Sequence, residues 1–217
     1  MKRFIKFAYE LVPFNSRPIV AEIDHYMEVN YRASHRKYHN MDYINRCLKN
    51  FDLVQSLVYD NNKMELAIWC HKIIQVPGSA VHPYICADYA QQVALVLGRD
   101  RKYARSVAQM VYRGLLGYLE LNEDNSLFID IIRSDLGLEP DEYKSNLKKI
   151  EEEYALAHPT NFKYNRIQFL KRCLVVKTIY RTEYFKDLYE KNAQHNVNEE
   201  LKEILKNGHP GDFLKDY

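Results

Sequence analysis

The chain has 217 residues, enough to bury the core of one domain without a disulfide or a structural metal. Hydrophobic residues make up 47% of it and charged residues 28%, with only 7 glycines and 7 prolines. This composition is typical of helix-rich globular proteins and excludes a disordered or fibrous chain. A formal net charge of +2 gives no general electrostatic reason to expect a nucleic acid or an acidic membrane surface as a partner.

The N-terminal segment and the cysteines indicate a soluble, cytoplasmic protein. Lys6 and Glu10 interrupt the first apolar stretch before it reaches the length of a signal peptide, and nowhere do about 18 apolar residues follow one another. The four cysteines have no metal-type spacing, so we expect reduced thiols in the core. They are Cys47, Cys70, Cys86 and Cys173.

Apolar residues at helical spacing predict α-helices along most of the chain. The clearest stripe predicts one long helix and consists of Met41, Ile44, Cys47, Leu48, Phe51, Val54 and Leu57. A second helix is predicted from about Met64 to His71. Separations of three and four residues place Met64, Ala67 and His71 on one face, so His71 should point inward at the helix end.

Proline and glycine residues divide the central part of the chain. Pro77-Gly78-Ser79 predicts a break, after which Pro83 suits the first turn of a helix that ends at Gly98. A further helix is predicted for 100–116, a loop for 122–125, and a short helix for 128–136.

The C-terminal part predicts three more helices. Pro140 opens the first, on which Glu151, Glu152 and Glu153 are expected to form a solvated face. The other two are predicted for 164–176 and 183–205, and the last residues are expected to fray. The sequence therefore predicts a single all-α domain over residues 1–206, followed by a tail of residues 207–217.

Histidines and carboxylates from distant helices can surround one cation in the core of a helical bundle. The candidate segments here are Tyr38-His39-Asn40, Ala67-Ile68-Trp69-Cys70-His71-Lys72 and Phe128-Ile129-Asp130.

These segments resemble the predicted metal-dependent phosphohydrolases of the HD superfamily, small helical proteins of bacteria. Arg36-x-Tyr38-His39-Asn40 is similar to the family's R-x-Y-H-N opening, and Ala67-Ile68-Trp69-x-His71 to its A-I-W-F-H-D segment. Later matches follow in the family's order: Phe128-Ile129-Asp130, Leu136-Gly137, Pro140, Tyr143, Ile150-x-x-Glu153-Tyr154, Asn165-Arg166-x-x-Phe169-Leu170, Ile179-Tyr180-Arg181-Thr182 and Glu190-x-x-Ala193-x-x-Asn196. The resemblance covers most of the chain.

The departures from the family pattern bear on catalysis. Lys72 stands where the family has its metal-binding aspartate, and Tyr43 where it has a second histidine. Pro83 and Tyr84 replace an acidic pair, and the family's Thr-x-x-His segment has no counterpart at 111–116. An ammonium group repels a divalent cation that a carboxylate would hold. We therefore expect no bound metal.

Three hypotheses about function remain open. In the first, the chain is a pseudoenzyme that binds a phosphate-bearing ligand or a protein partner, with Arg36, His39, His71, Lys72 and Asp130 as the ligand-binding residues. Arg113 would extend the cationic pocket around Lys72. A simpler alternative pairs Lys72 with Asp130 and leaves the histidines as core residues.

In the second hypothesis the chain is an active phosphohydrolase acting on a nucleotide or a phosphomonoester. His39, His71 and Asp130 would then hold one Mn, Fe, Ni or Zn ion that activates a water molecule. Lys72 would steady the phosphate, and Lys72 and Asp130 would be the catalytic residues.

Other features carry less weight. His35 and His82 are expected to be solvated, the latter in a loop beside a proline. No nucleophile elbow and no Gly-rich phosphate loop is present in the sequence. The third hypothesis is an interaction module whose tyrosine-rich surface binds a protein partner, and the same eighteen tyrosines are compatible with a homodimer.

Overall fold

A computed structural model describes residues 2–75, 81–117, 122–155 and 159–207, without the side chains of 159–161. Over these ranges the chain forms α-helices and short 3₁₀ turns and no β-strand, which confirms the all-α class. None of the described helices is long and apolar enough to cross a membrane. The expected break at Pro77-Gly78-Ser79 and the expected frayed residues 208–217 lie outside the described ranges.

The chain divides into two compact units, Met1–Ile129 and Asp130–Tyr217. The helices of the first are α1 (Lys2–Leu11), α2 (Arg17–Tyr31), α3 (Met41–Val54), α4 (Asn61–Cys70), α5 (His82–Val96) and α6 (Arg101–Leu116), and α7 (Glu123–Ile132) contains the boundary. The second unit contains α8 (Pro140–Tyr154), α9 (Pro159–Val175) and α10 (Glu183–Asn207). The predicted boundary after residue 206 adjoins the undescribed tail and stays a prediction.

In the first unit, α4 is the central helix, packed against α3, α5 and α6. Its residues Met64 and Ala67, and His71 directly after it, are fully buried, as their spacing predicts. The stripe on α3 is also buried from Met41 to Val54, but Leu57 is 53% exposed because the helix ends at Val54 and continues as a 3₁₀ turn. Its place in the buried stripe was predicted wrongly.

The pair α5 and α6 confirms the sequence signals at helix ends. Pro83 lies in the first turn of α5, and Gly98 follows the helix with a positive φ of 77° that favours glycine. The carboxylate of Asp100 accepts a hydrogen bond from the Tyr103 amide and so caps α6. All four cysteines are buried free thiols, as expected.

The region around α7 differs from its prediction. The helix begins at Glu123, where a loop was expected, because Glu123 and Asp124 are favourable at a helix N-terminus. Asp124 is also buried and accepts hydrogen bonds from the amides of Tyr59 and Asp60. The helix ends at Ile132 instead of continuing to 136, and a 3₁₀ turn spans Ser134–Gly137.

In the second unit, α10 packs against α8, α9 and the 3₁₀ turn. The solvated face predicted for α8 is wrong at Glu153, which is 2% exposed. Tyr143, Asn146 and Glu153 are separated by three and seven residues, so they share the buried face of the helix. Glu151 and Glu152 are exposed, as predicted.

Candidate functional site

His71 is fully buried and directly follows the last residue of α4. Its Nδ1 lies 2.7 Å from the carbonyl oxygen of Ile68, and its Nε2 lies 3.0 Å from the hydroxyl of Tyr43. A carbonyl oxygen only accepts hydrogen bonds, so Nδ1 carries the proton. Nε2 therefore presents a lone pair, and the Tyr43 hydroxyl donates to it.

His71 is neutral at physiological pH. Burial lowers the pKa of His71 to about 3, and the positive charge of Lys72 and the His39 ring lower it further, against the hydrogen bond to Ile68 that raises it. The hydrogen-bond pattern and the pKa thus agree on one uncharged tautomer.

The surroundings of His71 do not fit a metal ligand. Histidine ligands commonly donate one ring N–H to a carbonyl and coordinate the metal through the other nitrogen. His71 has the first interaction, but the hydroxyl of Tyr43 takes the second position. Within the described ranges, no group of three His, Cys, Asp or Glu side chains has the geometry to hold a metal ion.

His39 lies beside this pair, just before the first turn of α3. The side chain of Asn40 caps that helix by accepting hydrogen bonds from the amides of Asp42 and Tyr43. The His39 ring is 9% exposed, lies edge-on to Tyr43 with 5.3 Å between centroids, and has its Nδ1 3.4 Å from the Gln75 amide nitrogen.

Arg36 connects the residue before the cap of α3 with the segment that follows α4. Its guanidinium donates to the carbonyl oxygens of His39 at 3.1 Å, of Lys72 at 2.6 Å and of Ile73 at 2.6 Å, and stacks over the ring of Tyr31. Three of its five N–H groups are therefore used to hold main chain. Its predicted role in ligand binding stays a prediction, whereas its positioning of Lys72 is visible in these contacts.

Lys72 is half-buried, and its positive charge acts on the interior of the site. It lowers the pKa of both His71 and His82, each after the larger effect of burial. It also opposes the rise that burial causes in the pKa of Cys86. Arg113, by contrast, has an exposed side chain on α6.

His82 was predicted to be solvated, and the structure contradicts this. It is the first residue of α5 and only 9% exposed, and its Nε2 is buried without a hydrogen-bond partner among the described residues. Burial lowers the pKa of His82 to about 2, and Lys72, His39 and His71 lower it further, against a hydrogen bond between the ring and the main chain of Ile74 that raises it. His35, as expected, is exposed.

A sequence signal for His82 was available. Pro83 marks the first turn of the helix, so His82 begins it and shares a face with Cys86 four residues later. Cys86 belongs to the apolar side of α5 and is fully buried. Below, "the histidine cluster" means His39, His71 and His82 together with Tyr43 and Lys72.

Asp130 belongs to the second unit, where its carboxylate is 1% exposed. It accepts hydrogen bonds from the amide of Arg181 at 3.0 Å, the amide of Thr182 at 2.8 Å and the Thr182 hydroxyl at 2.8 Å. Burial raises the pKa of Asp130, and these hydrogen bonds oppose the rise. Its joint ligation of a metal with His39 and His71, and its ion pair with Lys72, stay predictions.

Comparison with known proteins adds no family assignment. The chain matches no protein-family model, no curated protein and no solved structure. The resemblance to HD phosphohydrolases therefore depends on the sequence motifs alone.

Proposed function

We propose that this chain is a non-catalytic relative of the HD phosphohydrolases that binds a phosphate-bearing ligand at the histidine cluster. The observation that carries the proposal is the hydrogen bond from the Tyr43 hydroxyl to Nε2 of His71. In a metal site, the lone pair of Nε2 would bind the metal ion. Here the same lone pair accepts the hydroxyl hydrogen of Tyr43. Tyr43 stands where the resemblance expects a second histidine. This difference removes one possible metal ligand, and the Tyr43 hydroxyl occupies the lone pair of a second one, His71.

Lys72 supports the proposed binding of a phosphate-bearing ligand. Its charge reaches His71 and His82, so the cluster contains a fixed cation attached to the chain. A fixed ammonium group attracts a phosphate through charge-assisted hydrogen bonds and does not activate a water molecule as a metal does. Arg36 assists by holding the main chain of Lys72 in place.

The alternative is an active phosphohydrolase in which His39, His71 and Asp130 hold a divalent metal. In the described contacts His71 donates to Ile68 and accepts from Tyr43, and Asp130 accepts from Arg181 and Thr182. Metal binding would therefore have to break hydrogen bonds that are already formed. For this reason we place the non-catalytic function first.

The first test measures metal content and turnover. Protein purified without chelator should contain no stoichiometric Mn, Fe, Ni or Zn by mass spectrometry of the metals, and should not hydrolyse a panel of phosphomonoesters and nucleotides with any of these ions added. Stoichiometric metal together with turnover would refute the proposal and establish the alternative.

A pair of substitutions tests the reason for the lost metal. Tyr43→His combined with Lys72→Asp restores both family residues, and we expect this variant to bind a divalent cation that the native chain does not bind. Lys102→Asp makes the same charge change on the exposed surface of α6 and should bind none. Equal metal content in the native chain and the double variant would contradict the assigned role of Tyr43 and Lys72.

The second test measures binding itself. Titration calorimetry with inorganic phosphate and adenosine monophosphate should give a saturable signal for the native chain. Lys72→Gln should weaken it by roughly tenfold or more, because a charge-assisted hydrogen bond is lost. Lys102→Gln is the matched control and should bind as the native chain does. No binding of either compound would refute the phosphate-binding function.

A further inference from the structure

The unused nitrogen of His82 is the starting point of a second proposal. The ring is nine-tenths buried, and Nε2 has no hydrogen-bond partner in the part of the chain that the structure describes. A buried polar atom without a partner costs folding free energy, so such an atom needs an explanation, and a bound ion or ligand is one. Its burial beside charged and polar neighbours separates it from an ordinary surface histidine.

The ring lies at the N-terminus of α5, a helix of 15 residues. Amides of the first turn have no carbonyl partner within a helix, and the helix dipole adds partial positive charge there. No described side chain caps this end, and the first turn contains no acidic residue. Pro83 has no N–H, which leaves the amides of His82 and Tyr84 as the donors of the first turn.

The third feature is the electrostatic surroundings of the ring. One turn after His82, the Sγ of Cys86 lies 3.4 Å from the carbonyl oxygen of Ile74, so the start of α5 lies beside the segment that contains Lys72. In agreement with this contact, Lys72, His39 and His71 lower the pKa of His82. One of these neighbours is a cation, and none is an anion. An oxyanion at the start of α5 would thus meet the charge of Lys72, the helix N-terminus and the Nε2 atom of His82.

We infer that His82 is a binding residue that selects a phosphate group carrying a proton: its Nε2 accepts a hydrogen bond from a phosphate P–OH, while Lys72 and the N-terminus of α5 hold the charged oxygens. This inference rests on the phosphate-binding function proposed above and narrows its ligand. Inorganic phosphate and phosphomonoesters have the required hydroxyl, whereas sulfate and phosphodiesters do not.

The chemical reason is the protonation state of each anion. A phosphomonoester loses its second proton with a pKa of about 6, so a large fraction still carries P–OH at that pH. Sulfate and phosphodiesters are fully ionised there and offer only acceptor oxygens. The His82 ring has a hydrogen bond to the main chain of Ile74, and because Nε2 has no described partner, this bond uses Nδ1–H and leaves the lone pair on Nε2. This lone pair repels an acceptor oxygen, whereas a hydroxyl forms a hydrogen bond with it.

The experiment compares four anions at about pH 6 by titration calorimetry. They are inorganic phosphate, adenosine monophosphate, sulfate and dimethyl phosphate. The native chain should bind the first two at least roughly tenfold more tightly than the last two, which is the effect of one hydrogen bond formed or repelled. Whichever of phosphate and adenosine monophosphate binds more tightly identifies the free ion or the ester as the natural form.

Substitution of His82 tests the residue directly. His82→Gln offers an amide that can donate as well as accept, so the preference for phosphate over sulfate should fall to near one. His25→Gln replaces an exposed histidine on α2 and should leave the preference unchanged. Circular dichroism and an unfolding curve check that both variants fold.

The outcomes separate the two proposals. Phosphate binding with an unchanged preference in folded His82→Gln overturns the role of His82 and leaves the phosphate-binding function standing. Equal binding of sulfate and phosphate by the native chain also overturns the role of His82 and leaves the phosphate-binding function standing. If none of the four anions binds, both proposals fail.

Discussion

Two buried polar side chains, His82 in the first unit and Asp130 in the second, differ in how their hydrogen bonds are satisfied. Asp130 accepts hydrogen bonds from two amides and one hydroxyl, at residues 181 and 182. The Nε2 of His82 has no partner in the described residues. A satisfied polar group holds the fold together, whereas an unsatisfied one lowers stability and is retained where a ligand uses it.

The same contrast appears between larger groups of residues. In the second unit, Glu200 is bound by both the Arg166 guanidinium, with its Nε 2.7 Å from Oε1, and the Tyr143 hydroxyl. This network joins α8, α9 and α10 through charged hydrogen bonds. The histidine cluster instead combines two imidazoles that burial keeps neutral, those of His71 and His82, with the cation of Lys72. We therefore expect substitutions in the second unit to act on stability and those at the cluster to act on binding.

The largest expected effect is the loss of Glu200. Glu200→Ala leaves the Arg166 guanidinium, 14% exposed, without its carboxylate, and should lower the free energy of unfolding by about 3–5 kcal/mol. Urea unfolding measures it. Glu199→Ala, which removes a surface ion pair with Lys202, should give no measurable change. A similar result for both variants would show that the network contributes no more than a surface pair.

Asp130→Ala is expected to have the next largest effect. The amides of Arg181 and Thr182 would lose their acceptor in a buried place, and the free energy of unfolding should fall by about 3 kcal/mol. Asp130→Asn keeps an acceptor oxygen and should cost less. The control is Asp141→Ala, at an exposed position on α8. A stable Asp130→Ala variant with reduced ligand binding would contradict the structural role given to Asp130 and would make it a ligand-binding residue.

Acid should destabilise the chain through the two buried histidines. Folding lowers the pKa of His71 from 6.5 to about 3 and that of His82 to about 2. Their contribution is therefore fully present above pH 6.5 and is lost as the pH falls from there, because the unfolded chain takes up protons that the folded chain does not. Between about pH 7 and pH 5 the loss should be about 2 kcal/mol for each histidine.

Unfolding free energies across that range test the effect. His71→Gln and His82→Gln should each flatten the pH dependence, whereas His195→Gln, at an exposed position on α10, should leave it as in the native chain. If neither buried variant changed the slope, the imidazoles would not be held neutral by the fold.

The sequence predicted the parts of the fold that depend on local chemistry. Pro83 and Pro140 lie in the first turns of helices and Gly98 follows the end of one, as predicted, because these residues act on the adjacent turn. The inward direction of His71 followed from helical spacing in the same way. Such signals depend only on residues within one or two turns.

The sequence could not predict features that depend on distant partners. Glu153 was assigned to a solvated face because it follows two other glutamates, although the burial of α8 is decided by its packing against α10. The hydrogen bond between Tyr43 and His71 joins residues 28 positions apart, and the bonds that Asp130 accepts span more than 50. Periodicity gives no information about such pairs.

Among the buried polar residues compared above, the smallest expected change in stability is at His82. His82→Leu removes an unpartnered buried nitrogen and replaces it with an apolar side chain, which offsets the loss of the polar contact between the ring and Ile74. At neutral pH the free energy of unfolding should stay within about 0.5 kcal/mol of the native value, while binding of phosphate weakens. A loss as large as that of Asp130→Ala would instead place His82 among the residues that hold the fold together. A near-neutral stability with lost binding is expected of a side chain retained for its ligand, because folding alone gives no reason to bury an imidazole nitrogen without a partner.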